Sequence, residues 1–232
     1  VEMFSSGINE NYRLLIGLPP NYNENRDKAY PVVYIADGGF FNYNQYSEIA
    51  DAAVKGNIVD MITVGITYPD KYTINDIRKF RRRDLASGNL FNFLKDTIIP
   101  YIDREYHTEK NNNTLIGNST SGHFVASTFT KYRADSNFPF KNLFAVAQLY
   151  DFAAEEAEMA AAISDLPLQF YLAIGSEDSN DRMEAYKTLV NNLESRGYPS
   201  FKFKNKIYEG LPHGEVSSTV AFKDAFKWAF PR

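Results

Sequence analysis

Gly117-Asn118-Ser119-Thr120-Ser121-Gly122 separates the short apolar segment Thr114-Leu115-Ile116 from a second apolar segment over 124–132. The first reads as a strand and the second as a helix. A serine on so tight a strand-to-helix turn has a strained backbone and an exposed hydroxyl, the arrangement of a nucleophile elbow. Small residues are needed around it, because side chains there would collide with the adjoining strand and helix. Gly117 meets that need. Ser121 stands where the G-x-S-x-G pattern has its second glycine, and Gly122 follows directly.

Working outward, hydrophobic patterning predicts an alternation of strands and helices. Residues 12–18 read as a strand ending at Pro19-Pro20, and 31–36 as a strand buried on both faces. Asp37-Gly38-Gly39 then signals a turn. A helix is expected over 47–54 and a buried strand over 61–67. Residues 72–87 are polar and read as irregular. Leu94, Ile98, Tyr101 and Ile102 keep helical spacing within 90–106, with Pro100 dividing or kinking that helix. Beyond the elbow, strands are expected over 143–147, 168–174 and 201–207. Helices are expected over 123–132, 153–163, 181–196 (stopped by Gly197) and 216–228. Strands separated by helices imply an α/β fold, a mainly parallel sheet with helices on both faces.

Composition agrees with this. The chain has 232 residues, 44% of them hydrophobic, which suits a single domain over 1–232 with a sizeable core. A net charge of -4 disfavours nucleic-acid binding. The chain has no cysteine, which excludes disulfides, thiolate catalysis and cysteine-ligated metals. Apolar runs fall short of a membrane span. A soluble protein is therefore expected, with the compartment open between cytoplasmic and periplasmic or secreted. Val1 in place of an initiator methionine leads to the expectation of a trimmed or processed chain. Oligomeric state is not legible.

A serine hydroxyl needs a base to take its proton, and the base needs an orienting group. Three histidines are available. His107 ends a helical pattern and reads as a surface residue. His123 lies four residues past Ser119 on the elbow helix, turned away from the serine or to the pocket rim. His213, in Gly210-Leu211-Pro212-His213-Gly214, lies in the loop between the last strand and the last helix. Strand 168–174 runs into Gly175-Ser176-Glu177-Asp178 and offers two carboxylates. Ser119, this acidic pair and His213 all fall at carboxyl ends of strands, where open α/β sheets gather their sites. Singly, each has a plainer reading: an ordinary turn, a solvated histidine, or a helix N-cap at Asp178 or Ser179. Their order and context favour a catalytic reading.

An oxyanion hole needs two backbone N–H groups. Thr120, directly after the serine, is expected to supply one. The Gly38-Gly39-Phe40 turn supplies the other, at Gly39 or Phe40. Phe41, Tyr150 and Phe152 follow strand ends and are expected as substrate walls. The basic run Lys79-Phe80-Arg81-Arg82-Arg83-Asp84 reads as structural or solvated, with Arg83 and Asp84 able to pair. Attraction of an anionic substrate is the secondary reading of that run.

Several segments together resemble the putative-esterase family of α/β-hydrolases, which includes esterase D-like, siderophore and feruloyl esterases. Leu18-Pro19-Pro20-Asn21-Tyr22 is similar to the family's LP-x-x-Y, and Tyr30-Pro31-Val32-Val33-Tyr34-Ile35-Ala36-Asp37-Gly38 to its YPVLYLLDG. Val64-Gly65-Ile66 with Arg83-Asp84 resembles its V-G-I … R-x-x-D region, and Leu115-Ile116-Gly117-Asn118-Ser119 its elbow. Gly175 to Asp178 is similar to G-x-x-[DE], which favours Asp178 over Glu177 as the acid. Gly210 to His213 resembles the histidine turn. The resemblance covers nearly the whole chain. It departs at Ser121, and at Gln148-Leu149-Tyr150-Asp151-Phe152, where many relatives have SPSLWW.

The resemblance implies the α/β-hydrolase fold and a serine carboxylesterase with Ser119 as nucleophile, His213 as base and Asp178 as orienting acid. It implies a small-molecule ester substrate and neither metal nor organic cofactor. An acyltransferase on the same triad and a binding module with a silent elbow are the alternatives.

Overall fold

The computed structural model describes residues 1–25, 27–39, 43–86, 88–147, 151–216 and 220–231, and the backbone alone of 43–47 and 86. Phe40, Phe41 and Tyr150 lie outside the described residues. Among the described residues eight strands form one sheet. They are β1 Glu2–Ser5, β2 Glu10–Gly17, β3 Tyr30–Ala36, β4 Ile62–Thr67, β5 Thr108–Asn118, β6 Phe140–Val146, β7 Gln169–Gly175 and β8 Lys202–Tyr208. Their order is β1-β2-β4-β3-β5-β6-β7-β8. From β4 to β8 every neighbouring pair is parallel. β1 and β2 add an antiparallel edge.

The helices are α1 Tyr43–Val54, α2 Ile74–Ala86, α3 Gly88–Phe93, α4 Ile99–Glu105, α5 Thr120–Tyr132, α6 Ala153–Ala160, α7 Asn180–Arg196 and α8 Ala221–Ala229. The alternation of β3 assigns them to two faces. Val32 and Tyr34 enter one core cluster with Leu94 and Ile98, Phe129 of α5 and Leu189 of α7. Val33 and Ile35 enter the other with Ile49 of α1 and Phe222 and Phe226 of α8. A strand buried on both faces needs apolar residues at every position, and all seven residues of β3 are buried.

Three expectations are corrected. Residues 74–86 form a helix rather than irregular chain. Its first turn is held by a reciprocal cap, with Thr73 Oγ1 donating to Asp76 Oδ2 at 2.6 Å and Asp76 N–H donating back to Thr73 Oγ1 at 3.2 Å. The chain before residue 10 contributes a strand, β1, that apolar patterning did not mark. β5 begins at Thr108, six residues before its apolar part, through an irregular register against β3. Pro100 divides its helix as expected, and a π-helical turn at Leu94–Ile98 leads into α4.

The chain passes from β3 outward to β4 on one side, then crosses to β5 on the other. The strand order thus reverses at β3, and a crevice at the carboxyl ends of β3 and β5 follows from that topology. Gly38-Gly39 and Ser119 sit at those two ends.

Candidate active site

Ser119 joins β5 to α5 with φ 58° and ψ -117°, a backbone conformation that L residues rarely adopt. Its neighbours hold it there. A Cβ on Gly117 would strike the backbone of Ser121, and one on Gly122 would strike the carbonyl of Val146. The Ser119 N–H donates to Val146 O at 2.9 Å, which ties the turn to β6. Ser121 is buried, and its Oγ accepts from the Asn118 N–H at 3.0 Å and donates to the Asn118 carbonyl at 2.9 Å. The departure from glycine at this position supplies two bonds to the turn.

His213 Nε2 lies 2.9 Å from Ser119 Oγ, and its Nδ1 lies 2.6 Å from Asp178 Oδ2. The loops that carry His213 and Asp178 are joined to each other. Glu177 N–H donates to Leu211 O at 3.2 Å, and Gly210 N–H donates to Ser176 Oγ at 2.8 Å. Of the acidic pair, Asp178 is buried and Glu177 is exposed. Asp178 Oδ1 accepts from the Ser179 N–H at 2.8 Å and from Arg182 Nη1 at 2.9 Å. Burial pushes the Asp178 carboxyl up, but the bonds from Arg182, His213 and the Ser179 N–H outweigh it and hold the group below the ordinary carboxylate range. The carboxylate is therefore ionised at neutral pH and can hold His213 Nδ1 as a donor.

The other histidines lie elsewhere. His107 is exposed, its ring beside Tyr22. His123 stacks on Phe152 with ring centroids 4.7 Å apart. Burial, helped by Lys131, lowers the His123 pKa to about 4, so it is neutral at pH 7. Phe152 is only 2% exposed and belongs to the core cluster beneath α5. It backs His123 from inside rather than presenting an open wall to substrate. Phe41 and Tyr150 lie outside the described residues.

Thr120 is the first residue of α5, so its N–H has no intrahelical acceptor and lies at the positive end of the helix. Gly38 N–H is occupied by Ile66 O at 3.0 Å, and Gly39 lines a cleft on this side of the sheet. A side chain at Gly39 would run into Thr67. Phe40 lies outside the described residues. The turn has an anchor that sequence reasoning did not identify. Asp37, at φ 58°, accepts from Arg81 Nε at 2.9 Å and also from Arg81 Nη2. Arg83 does pair with Asp84, Nε to Oδ1 at 2.5 Å. Asp84 is buried and also accepts from Tyr12 Oη at 2.6 Å and Tyr68 Oη at 2.7 Å. The basic run is structural at Arg81, Arg83 and Asp84. Arg182 was also missed, although its place four residues after Asp178 on a helix start was a readable signal.

The arrangement is that of an α/β-hydrolase: a serine on a strained strand-helix turn, a histidine and a buried acid, gathered at the carboxyl edge of a mainly parallel sheet. Residues 5–140 match the family model described as putative esterase, and the chain belongs to that family of hydrolases. No curated protein matches the chain significantly. Among solved structures it is similar to an IroE-like serine hydrolase from Shewanella oneidensis, with a TM-score of 0.82 and 20% identity over 99% of this chain and 79% of that one. It is similar to a siderophore hydrolase from Aspergillus nidulans, with a TM-score of 0.73 and 18% identity over 100% of this chain and 96% of that one. A ferulic acid esterase from the anaerobic fungus Anaeromyces mucronatus aligns with a TM-score of 0.68 and 17% identity over 98% of this chain and 88% of that one. Among the described residues no helix is long and apolar enough to cross a membrane.

Proposed function

We propose that the protein is a serine carboxylesterase working through an acyl-enzyme on Ser119. The observation that carries this reading is the continuous chain of hydrogen bonds from Ser119 Oγ through His213 to Asp178. His213 Nε2 takes the Ser119 proton as Oγ attacks the ester carbonyl. The Thr120 N–H, with a second donor at Gly39 or Phe40, receives the developing oxyanion. The protonated His213 then gives its proton to the departing alcohol. In the second half His213 deprotonates water, which attacks the acyl-enzyme and releases the acid and Ser119. Asp178 keeps His213 Nδ1 protonated and stabilises the imidazolium in both halves.

Proteins similar in fold include a siderophore hydrolase and a ferulic acid esterase, so siderophore-type and feruloyl esters belong in the substrate panel beside simple alkyl esters. The test is hydrolysis of p-nitrophenyl acetate by the wild type and by Ser119→Ala, with fluorophosphonate labelling of both. The reading expects label and turnover in the wild type and neither in the variant. Turnover retained by Ser119→Ala removes the nucleophile assignment, and an unlabelled wild type favours a silent elbow.

A further inference from the structure

A cleft of about 620 Å3 opens beside the candidate site on the carboxyl edge of the sheet. Gly39, Thr67, Leu15 and Ile77 line it, and it reaches Arg13 and Tyr72. Its direction follows from the strand order, in which β5, β3, β4 and β2 are successive neighbours. Gly39 lies in the turn after β3, against Thr67 at the end of β4. Thr67 in turn pairs with Arg13 on β2. The path from Ser119 at the end of β5 to Arg13 therefore crosses three strand spacings, about 14 Å. α2 covers the outer side through Ile74 and Ile77, so the middle of the cleft is apolar and its far end carries a guanidinium.

The position of His213 decides which part of an ester can lie there. The departing alcohol takes its proton from His213 Nε2, so its oxygen lies on the His213 side of Ser119. The cleft runs the opposite way, over β3, β4 and β2. That side is left to the acyl group. The far end suits an anion. Arg13 is paired in the free protein with Asp70, but the Asp70 side chain is 85% exposed. An ion pair with so hydrated a partner is weak and exchangeable.

We propose that this cleft binds the acyl arm of the substrate, and that the preferred acyl group is an extended apolar chain ending in a carboxylate that pairs with Arg13. The proposal rests on the esterase reading above. It is tested with two p-nitrophenyl esters of equal chain length, the decanoate and the sebacic acid monoester, with p-nitrophenyl acetate as the short reference. The wild type is expected to favour the sebacate monoester over the decanoate in kcat/KM. Arg13→Gln should cut that preference about fivefold, chiefly through KM, and Asp70→Asn should raise it. Ile77→Trp should lower the ratio of decanoate to acetate turnover. Acetate hydrolysis with no anion preference, or a preference untouched by Arg13→Gln, overturns the cleft assignment alone. Absence of acetate hydrolysis in the wild type overturns the esterase reading, and the cleft assignment falls with it.

Discussion

Ser121 Oγ bonds both backbone groups of Asn118, accepting from its N–H at 3.0 Å and donating to its carbonyl at 2.9 Å. The residue that breaks the glycine pattern thus clamps the residue just before the candidate nucleophile onto the first turn of α5. Ser121→Ala removes both bonds within a buried turn. The expected cost is about 1–2 kcal/mol of stability. The strained φ of Ser119 would also be held less firmly, so kcat should fall while KM for a short ester changes little. Urea unfolding and steady-state kinetics on the same preparation check this. An alanine variant with unchanged midpoint and kcat would show that Gly117 and Gly122 set the elbow without help.

Arg81 reaches from α2 to Asp37 at the start of the turn that carries Gly39. Both side chains are largely shielded from water, at 14% and 5% exposure, so the pair is screened less than a surface bridge. Its mechanical effect is to anchor the turn proposed above to supply the second oxyanion donor. Arg81→Gln is expected to lower kcat for p-nitrophenyl acetate about tenfold with little change in KM, as befits a donor used only in the transition state. Arg81→Lys should recover part of the loss. Asp37→Asn combined with Arg81→Gln should cost little more than either alone, because the two changes break one contact. Additive losses would place Arg81 and Asp37 in separate roles.

The central strands were legible in the sequence because β3, β4, β6 and β7 are apolar runs between turn signals. The candidate site was legible because Ser119 and Asp178 follow apolar runs and His213 follows the alternating strand β8. α2 was hidden because its inward stripe of Ile77, Phe80, Arg81, Asp84 and Leu85 includes two charged residues. Burial of Asp84 under Tyr12 and Tyr68 is a long-range event that periodicity does not encode. The Thr73-x-x-Asp76 cap was the local sign that went unread. Arg81 was readable as basic but not as a partner of Asp37, which lies 44 residues earlier. Phe152 was expected as a substrate wall, but it caps α6 and is buried in the core with its ring stacked on His123 of α5, a long-range contact that the sequence pattern does not encode.

The Asp178 carboxyl is held below its ordinary range by bonds that include Arg182, despite the opposing effect of burial. A depressed carboxylate stabilises the fold above its unfolded pKa, about 3.9, and loses that contribution as pH falls through the folded value. Arg182→Gln removes one of the lowering contacts, so the folded value moves back toward the unfolded one. Acid unfolding followed by circular dichroism should therefore shift to higher pH in the variant, and its loss of stability should be full above about pH 4 and shrink as pH falls below that. A shift to lower pH, or none, would mean that the Ser179 N–H and His213 alone hold the carboxylate.

Glu156 lies on α6, whose sequence is otherwise mostly alanine and glutamate. Its side chain is fully buried and joins three helices. Arg133, at the end of α5, donates from Nη2 to Oε1 at 3.3 Å, and Arg196 of α7 donates from Nη2 to Oε2 at 2.9 Å. Arg133 is equally buried, so Glu156→Gln leaves a guanidinium without its counter-charge. The expected loss is about 3–5 kcal/mol, read as a lower urea midpoint with kcat unchanged in the folded fraction. Replacing both members, Arg133→Met with Glu156→Leu, removes two desolvated charges together. That pair should recover most of the lost stability, since apolar packing of similar volume often matches a buried ion pair. If the double variant is instead less stable than Glu156→Gln, the bonds of Arg133 to the Phe129 and Thr130 carbonyls matter more than its charge partner does.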